Sequence, residues 1–211
     1  MTIDKIMRSA PIIPVLVLEE EMDWPALAKT FIEARLPVLE VTLRTSFALE
    51  AIRQMSRVEG AIVGAGTILD ERQLGAALDA GSRFVVSPGL TEPLGRAVIR
   101  SGAAYLPGIA NAGDIMRGLD LGLDRFKFFP AEASGGIAAL KALSAPFKNA
   151  RFCPTGGVRV DTAAAWLALP SVLCVGGTWF VKPGDDLVTI GERARAAAQL
   201  HQPAQEGIEA G

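Results

Sequence analysis

Histidine and cysteine, the residues that most often build metal and redox sites, are almost missing from this sequence. Its 211 residues include one histidine, His201, and two cysteines, Cys153 and Cys174. Zinc and similar metal sites usually need several such ligands at set spacings, and with so few of them the sequence predicts no bound metal. Both cysteines lie in apolar, strand-like runs, which predicts buried, reduced thiols.

Charge of one sign and long apolar runs are missing too. Lysine and arginine number 21 against 23 aspartates and glutamates, which gives a net charge of -2. This balance excludes a broad basic surface for nucleic acid, so an anionic ligand would need a local site. The first ten residues lack an apolar signal core, and no apolar run approaches the roughly 20 residues of a membrane span. We therefore expect a cytoplasmic protein that binds neither nucleic acid nor membrane.

Apolar segments that favour strands alternate with alanine-rich segments that favour helices. Half of the residues are hydrophobic, enough for one sizeable core. The eight predicted strands are residues 12–18, 38–44, 61–67, 84–88, 104–109, 125–130, 151–155 and 172–179. Eight strand–helix units predict an α/β fold, a (β/α)8 TIM barrel, with an open doubly wound sheet as the alternative. We expect residues 1–201 to form this single domain and residues 202–211 to form a flexible tail.

A lysine interrupts the aromatic segment of the sixth predicted strand. Lys127 stands between Phe126 and Phe128, and Phe129 follows. Taking an ammonium group out of water is costly unless a partner compensates, so a lysine buried here is either neutralised or used. A neutral lysine amine attacks a carbonyl carbon to form a Schiff base. The alternative is an edge-strand lysine whose amine reaches solvent.

Polar and apolar residues alternate along the second predicted strand. The period of two puts Glu40, Thr42 and Arg44 on one face, which we expect to point into the barrel. A carboxylate, a hydroxyl and a guanidinium in a closed interior must pair or bind a ligand. We interpret them as site residues, and a structural Glu40–Arg44 ion pair is the alternative.

Small residues mark the end of the third predicted strand. Gly64, Ala65 and Gly66 precede Thr67 and leave space for a ligand, although simple barrel packing also uses small residues. The alternation places Val63, Ala65 and Thr67 on one face.

Two glycine pairs follow the seventh and eighth predicted strands. They are Gly156-Gly157, after Thr155, and Gly176-Gly177, before Thr178. These loops often bind phosphate in (β/α)8 barrels, because bare glycine backbone lets N–H groups approach the phosphate oxygens. The sequence therefore predicts a phosphorylated ligand, although a single glycine pair is usually only a turn.

Five segments together resemble the 2-dehydro-3-deoxy-6-phosphogluconate (KDPG) aldolase family, whose members often also cleave 4-hydroxy-2-oxoglutarate (KHG). The segments are LEVTLRT at 39–45, VGAGT at 63–67, SPGLTEPL at 87–94, FKFFPAE at 126–132 and RFCPTGG at 151–157. The resemblance implies a class I aldolase of the (β/α)8 fold that assembles as a homotrimer. It also implies reversible cleavage of KDPG to pyruvate and D-glyceraldehyde 3-phosphate through a lysine imine, without a metal or organic cofactor.

The resemblance also implies a role for each matching residue. Lys127 would form the Schiff base and Glu40 would be the general acid and base. Arg44 and Thr67 would hold the pyruvate carboxylate. The remaining predicted substrate-binding residues are Pro88 and Phe129 around the pyruvyl group, Thr155 at the substrate hydroxyls, and Gly156, Gly157 and Thr178 at the phosphate.

Two positions depart from the family pattern. Thr178 stands where a serine is common, and Ala110-Asn111 stands where a Ser/Thr pair is common. The added methyl group of Thr178 narrows the predicted phosphate site, so the preference among related substrates stays open. A barrel that only binds a phosphosugar, or an isomerase that uses Glu40 without a covalent step, is the alternative function.

Overall fold

The computed structural model describes residues 1–200, which fold as alternating strands and helices. The strands are β1 (Ile12–Leu16), β2 (Val38–Thr42), β3 (Ile62–Gly66), β4 (Phe84–Ser87), β5 (Ala104–Ile109), β6 (Arg125–Phe128), β7 (Arg151–Pro154) and β8 (Val175–Gly177). The helices are α1 (Ile3–Met7), α2 (Trp24–Glu33), α3 (Ala48–Met55), α4 (Glu71–Asp79), α5 (Glu92–Ser101), α6 (Ala112–Asp120), α7 (Gly136–Ser144), α8 (Ala163–Leu167) and α9 (Leu187–Ala198).

The strands form one parallel sheet that closes on itself. The order is β7-β6-β5-β4-β3-β2-β1-β8, so neighbours in sequence are neighbours in the sheet and β8 pairs with β1. Isolated bridges from Phe152 to Val172 and from Thr155 to Gly176 join β7 to β8. The predicted (β/α)8 barrel is confirmed, and the open doubly wound sheet is wrong because its edge strands would stay apart.

Most strands are shorter than predicted, chiefly at their carboxyl ends. β2 ends at Thr42, so Arg44 belongs to a turn, and β3 ends at Gly66 because Thr67 adopts a left-handed φ of 63°. β8 begins at Val175, three residues later than predicted. Arg44 and Thr67 therefore lie beyond the ends of their strands, at the barrel mouth.

Each strand contributes one face to a shell of helices and the other to the barrel interior. The outward residues pack with the helices in the larger core cluster, to which Phe126, Phe128 and Phe152 belong. The inward residues of the lower barrel form a second cluster with Ile6 and Met7 of α1. Its strand members are Ile13, Val38, Phe84, Val86, Leu106 and Cys153, and Leu173 and Cys174 join it from the segment just before β8.

The cysteines lie in this inner cluster as buried, free thiols, as predicted. Burial raises the pKa of the Cys174 thiol well above its ordinary value, and the neighbouring Cys153 adds to the shift. A thiol with a raised pKa stays protonated at neutral pH, and the thiolate is the nucleophilic form. We assign both cysteines to packing, because both side chains are buried in this apolar cluster.

Several helix ends follow their sequence signals. Asp70 accepts a hydrogen bond of 2.7 Å from the backbone N–H of Gln73 and caps α4. Asp23 caps α2 in the same way, with Pro25 in the first turn. α5 ends at Gly102 with a left-handed φ of 73°. These caps satisfy backbone groups that would otherwise lack a partner at the helix ends.

No helix within residues 1–200 is long and apolar enough to cross a membrane. The predicted tail at 202–211, with the histidine before it, lies outside the described residues. Its flexibility and the boundary at residue 201 stay predictions.

The short helix α1 covers the amino-terminal end of the barrel. Arg125, the first residue of β6, donates a hydrogen bond of 2.6 Å to Asp4, and Arg8 donates another of 2.9 Å. Partial burial acts to raise the pKa of the Asp4 carboxyl, but the hydrogen bonds and charges of the two arginines outweigh it and hold this pKa below its ordinary value. The carboxylate thus fastens α1 to the barrel.

Asp4→Asn should lower the free energy of unfolding by about 1 kcal/mol at pH 7, because it breaks partly buried ion pairs. A group with a lowered pKa stabilises the fold above its ordinary pKa and loses that contribution as the pH falls through the lowered value. Urea denaturation should therefore show a difference in the free energy of unfolding between the wild type and Asp4→Asn that is smaller in acid than at pH 7. Asp120→Asn, at an exposed position, is the control. If Asp4→Asn lowered the free energy of unfolding equally at pH 7 and in acid, the assignment would be contradicted.

Candidate active site

A buried lysine–glutamate pair spans the barrel interior. The Lys127 Nζ of β6 lies 2.9 Å from Oε1 and 3.3 Å from Oε2 of Glu40 on β2. The two side chains are 7% and 3% exposed. An amine and a carboxylate at this distance can exchange a proton directly, and their burial keeps bulk water from competing for it.

The inward direction of Lys127 follows from strand alternation. Phe126 and Phe128 point outward into the helix-side core, so the residue between them must point into the barrel. The Lys127 Nζ also lies 5.3 Å from the centre of the Phe129 ring. The alternative of an edge-strand lysine in solvent is therefore wrong, since β6 has a neighbour on each side.

The space beside Gly66 is taken by the Glu40 carboxylate. A β-carbon added at Gly66 would overlap Oε1 of Glu40 and lie 2.8 Å from its Cγ. On the same inward face, a β-carbon at Gly64 would overlap the ring of Phe84. The predicted ligand space at these glycines is thus filled by neighbouring side chains, and Gly66 lets Glu40 lie against β3.

Arg44 and Thr67 meet at the mouth of the barrel. The Arg44 Nε donates a hydrogen bond of 3.3 Å to the Thr67 Oγ1, and the Arg44 side chain is exposed. The predicted common face of Val63, Ala65 and Thr67 is wrong for Thr67, because its left-handed backbone ends the alternation. A structural Glu40–Arg44 ion pair is also wrong, since Glu40 pairs with Lys127.

Pro88 lies on the rim, where two hydrogen bonds hold its turn. The Ser87 Oγ donates to the Gly89 carbonyl oxygen at 2.7 Å and lies 2.8 Å from the Tyr105 hydroxyl. The one proton of Ser87 is thus used, so Tyr105 is the donor. Burial raises the pKa of Tyr105, although the Ser87 bond acts against it, so the hydroxyl keeps its proton. A β-carbon at Gly108 would overlap the Pro88 carbonyl oxygen.

Of the residues that shape this rim, Tyr105 and Gly108 were not predicted. Tyr105 acts on the turn through the side chain of Ser87, which in turn contacts the Gly89 carbonyl oxygen. Only the glycine on an inward-facing position of β5 could have signalled a close approach at this point.

The two predicted phosphate loops leave the barrel side by side. The bridge between Thr155 and Gly176 aligns β7 with β8, and a β-carbon at Gly176 would overlap the buried Thr155 side chain. Gly156 and Gly157 have left-handed φ values of 95° and 82°, which side chains rarely adopt. The glycine turn thus lies next to Gly177 and the exposed Thr178.

The site residues predicted from the sequence therefore lie around one barrel mouth. Lys127 and Glu40 lie inside it, Arg44 and Thr67 follow β2 and β3, and the two glycine loops follow β7 and β8. Within residues 1–200, no three His, Cys, Asp or Glu side chains gather as a metal site would require.

Known proteins match almost the whole chain. A family model for the KDPG and KHG aldolases covers residues 3–193. The 2-dehydro-3-deoxy-phosphogluconate aldolase of Zymomonas mobilis is 52% identical over 96% of this chain and 98% of its own length. The KHG/KDPG aldolase of Escherichia coli is 46% identical over 87% of this chain and 86% of its own length.

Two solved structures have the same fold. The Zymomonas mobilis aldolase with 3-phosphoglycerate has a TM-score of 0.93 at 51% identity and covers 97% of this chain and 98% of that one. The Legionella pneumophila KDPG aldolase, with pyruvate captured as a covalent carbinolamine, has a TM-score of 0.88 at 38% identity and covers 94% and 98%. This chain belongs to the KDPG and KHG aldolase family.

Proposed function

We propose that this protein is a class I aldolase that reversibly cleaves KDPG to pyruvate and D-glyceraldehyde 3-phosphate. The observation that carries the proposal is the buried 2.9 Å contact between the Lys127 Nζ and the Glu40 Oε1 inside the barrel. It places a nucleophile and a general base within direct reach of each other, next to residues suited to bind both ends of the substrate.

The first step forms the covalent link. Glu40 takes a proton from the Lys127 ammonium group, and the neutral amine attacks the C2 ketone of the substrate to give a carbinolamine. Glu40 then returns a proton to the C2 hydroxyl, which leaves as water, and an iminium ion remains on Lys127. A carbinolamine of this kind, formed with pyruvate, is what the Legionella relative holds.

The second step breaks the bond between C3 and C4. Glu40 accepts the proton of the C4 hydroxyl, C4 becomes the aldehyde carbon of D-glyceraldehyde 3-phosphate, and the bonding electrons move into the iminium to form an enamine. Protonation at C3 and hydrolysis then release pyruvate and regenerate Lys127. Because the iminium accepts the electrons, we propose that the reaction needs no metal or organic cofactor and that a chelator leaves its rate unchanged.

The substrate ends are bound on different sides of the mouth. We assign the carboxylate to the exposed guanidinium of Arg44 and the hydroxyl of Thr67, which already contact each other. We assign the substrate hydroxyls to Thr155, and the phosphate to Gly156, Gly157 and Thr178. Pro88 and Phe129 would enclose the pyruvyl group between them. The 3-phosphoglycerate in the Zymomonas relative is a phosphorylated carboxylic acid and supports this assignment.

KHG is a second candidate substrate. It has the same 2-keto and 4-hydroxy groups and a carboxylate beside the ketone, so Lys127, Glu40, Arg44 and Thr67 suffice for its cleavage to pyruvate and glyoxylate. The Escherichia coli relative, at 46% identity, is named for both substrates. Release of glyoxylate from KHG by the purified protein tests this activity.

We also propose that the protein works as a cytoplasmic homotrimer, as the family resemblance implies. Large apolar side chains are exposed on two consecutive helices, with Ile99 on α5 and Met116 and Leu119 on α6. Another copy of the chain could cover such side chains. Light scattering after gel filtration should give three times the chain mass of 22.2 kDa.

Incubation with pyruvate and borohydride should attach one reduced pyruvyl group to the protein, confined to the peptide that contains Lys127. Borohydride reduces the iminium to a stable amine, so activity should be lost irreversibly. Lys127→Ala should abolish both the adduct and the cleavage of KDPG, whereas Lys141→Ala, at an exposed lysine of α7, should change neither. Intact mass and peptide mapping read the result.

The outcome separates this function from its alternatives. A phosphosugar-binding barrel, or an isomerase that works through Glu40 alone, would gain no mass with borohydride. Normal KDPG cleavage by Lys127→Ala would also overturn the covalent mechanism.

Glu40→Gln should lower kcat for KDPG cleavage by about 10²- to 10⁴-fold, since the amide cannot take or return a proton. The amide is close in size to the carboxylate, so the barrel should keep its fold and the Lys127 adduct should still form on long incubation. Steady-state kinetics and circular dichroism check the two parts. An unchanged kcat would remove Glu40 from the mechanism.

Gly66→Ala should lower kcat/KM by about 10²-fold, because the new methyl group displaces the Glu40 carboxylate from Lys127. Gly75→Ala on α4 is the matched control, since a β-carbon there meets no atom within 4 Å. The control should keep full activity. Equal activities of the two variants would show that the position of the carboxylate does not limit the rate.

A further inference from the structure

The loop after β6 carries a glutamate that the proposed chemistry does not use. The Glu132 Oε1 accepts a hydrogen bond of 3.1 Å from the indole Nε1 of Trp166 on α8. Trp166 is fully buried, and its ring also packs 6.3 Å from the ring of Phe128. A buried indole N–H needs an acceptor, and Glu132 supplies it from the surface.

The same glutamate packs against the glycine turn after β7. A β-carbon at Gly157 would lie 2.6 Å from both Cβ and Cγ of Glu132. The apolar stem of Glu132 therefore lies directly on Gly157, while its carboxylate is bonded to Trp166. This arrangement keeps the negative charge engaged away from the glycine backbone that would receive a phosphate.

Backbone hydrogen bonds join the two loops as well. The N–H of Ala131 donates to the Thr155 carbonyl oxygen at 2.8 Å, and the N–H of Glu132 donates to the Gly156 carbonyl oxygen at 3.0 Å. Glu132 thus holds the glycine turn through its N–H, its stem and its tie to a fully buried side chain. It also connects this turn to the strand of Lys127, five residues earlier.

We propose that Glu132 and Trp166 are positioning residues that hold Gly156 and Gly157 in the left-handed shape that binds the phosphate of the substrate. The inference rests on the proposed function. It adds Glu132 and Trp166, which would contact neither the reacting atoms nor the phosphate. Glycine backbone is free to take many conformations, so a phosphate site built from it needs such a support to keep its N–H groups aligned.

Trp166→Phe removes the indole N–H and keeps an aromatic ring against Phe128. The loss of one buried hydrogen bond should raise KM for KDPG about five- to tenfold and leave kcat within twofold of the wild type. The same substrate without its phosphate, 2-dehydro-3-deoxygluconate, should keep its kcat/KM. The ratio of kcat/KM for the two substrates should therefore fall about five- to tenfold.

Trp24→Phe is the matched control. The Trp24 Nε1 is buried and has no hydrogen-bond partner among the described residues, so its removal breaks no such bond. This variant should keep the wild-type ratio between the two substrates. The comparison separates the loss of the Trp166 hydrogen bond from the general effect of a smaller ring in the core.

Variants of Glu132 test the pair from its other side. Glu132→Ala removes the stem and the acceptor and should lower the substrate ratio at least as much as Trp166→Phe. Glu132→Gln keeps both the stem and an acceptor oxygen for Trp166, so its ratio should stay within twofold of the wild type. An equal loss with Gln and Ala would overturn the proposal, because the charge and not the support would then matter.

A merely structural role gives a different result. If Trp166→Phe lowers the melting temperature and reduces kcat/KM equally for both substrates, the positioning role is refuted. If the wild type itself neither cleaves KDPG nor forms the borohydride adduct, the proposed function fails before any variant is compared. A wild type that cleaves KDPG, with an unchanged ratio in Trp166→Phe and Glu132→Ala, refutes the inference alone.

Discussion

The contact between Lys127 and Glu40 is the constraint around which the barrel interior is arranged. Two opposite charges in a nearly dry interior lose their hydration, and their mutual attraction often fails to offset that loss. A pair of well-packed apolar residues at the same positions would usually make the folded state at least as stable as the ion pair does. The interior makes room for the pair instead, with Gly66 beside the carboxylate and the Phe129 ring near the amine. The chemistry of the pair explains its presence better than stability does.

The closed strand order sets where each part of a substrate can lie. β2 and β3 end in Arg44 and Thr67, β7 and β8 end in the glycine loops, and β1 separates these two groups of strands. A ligand that contacts both places must be long enough to span the part of the mouth that β1 occupies. Under the proposed function, the carboxylate and the phosphate of KDPG are the two groups that would bind at these places.

Local rules were enough to predict the order and approximate positions of the strands, the inward face of β2 and the glycine turn after β7. They were not enough to predict partners. Glu40 lies within β2 and Arg44 lies in the turn after it, so the two side chains do not pair although the alternation put them on one face. The actual partner, Lys127, is 87 residues away in sequence and depends on closure of the whole barrel. The left-handed backbone of Thr67 and the bond from Trp166 to Glu132 had no local signal either.

The junction between β7 and β8 differs from the other contacts of the barrel wall. Within the described residues, neighbouring strands elsewhere share runs of paired residues, whereas β7 and β8 are joined by isolated bridges. The glycine loops after β7 and β8 lie on either side of this junction, so an anion bound by both loops would link the two strands. A ligand that binds only the closed barrel stabilises that state by mass action. The junction between β7 and β8 should therefore become more stable as the concentration of that ligand rises.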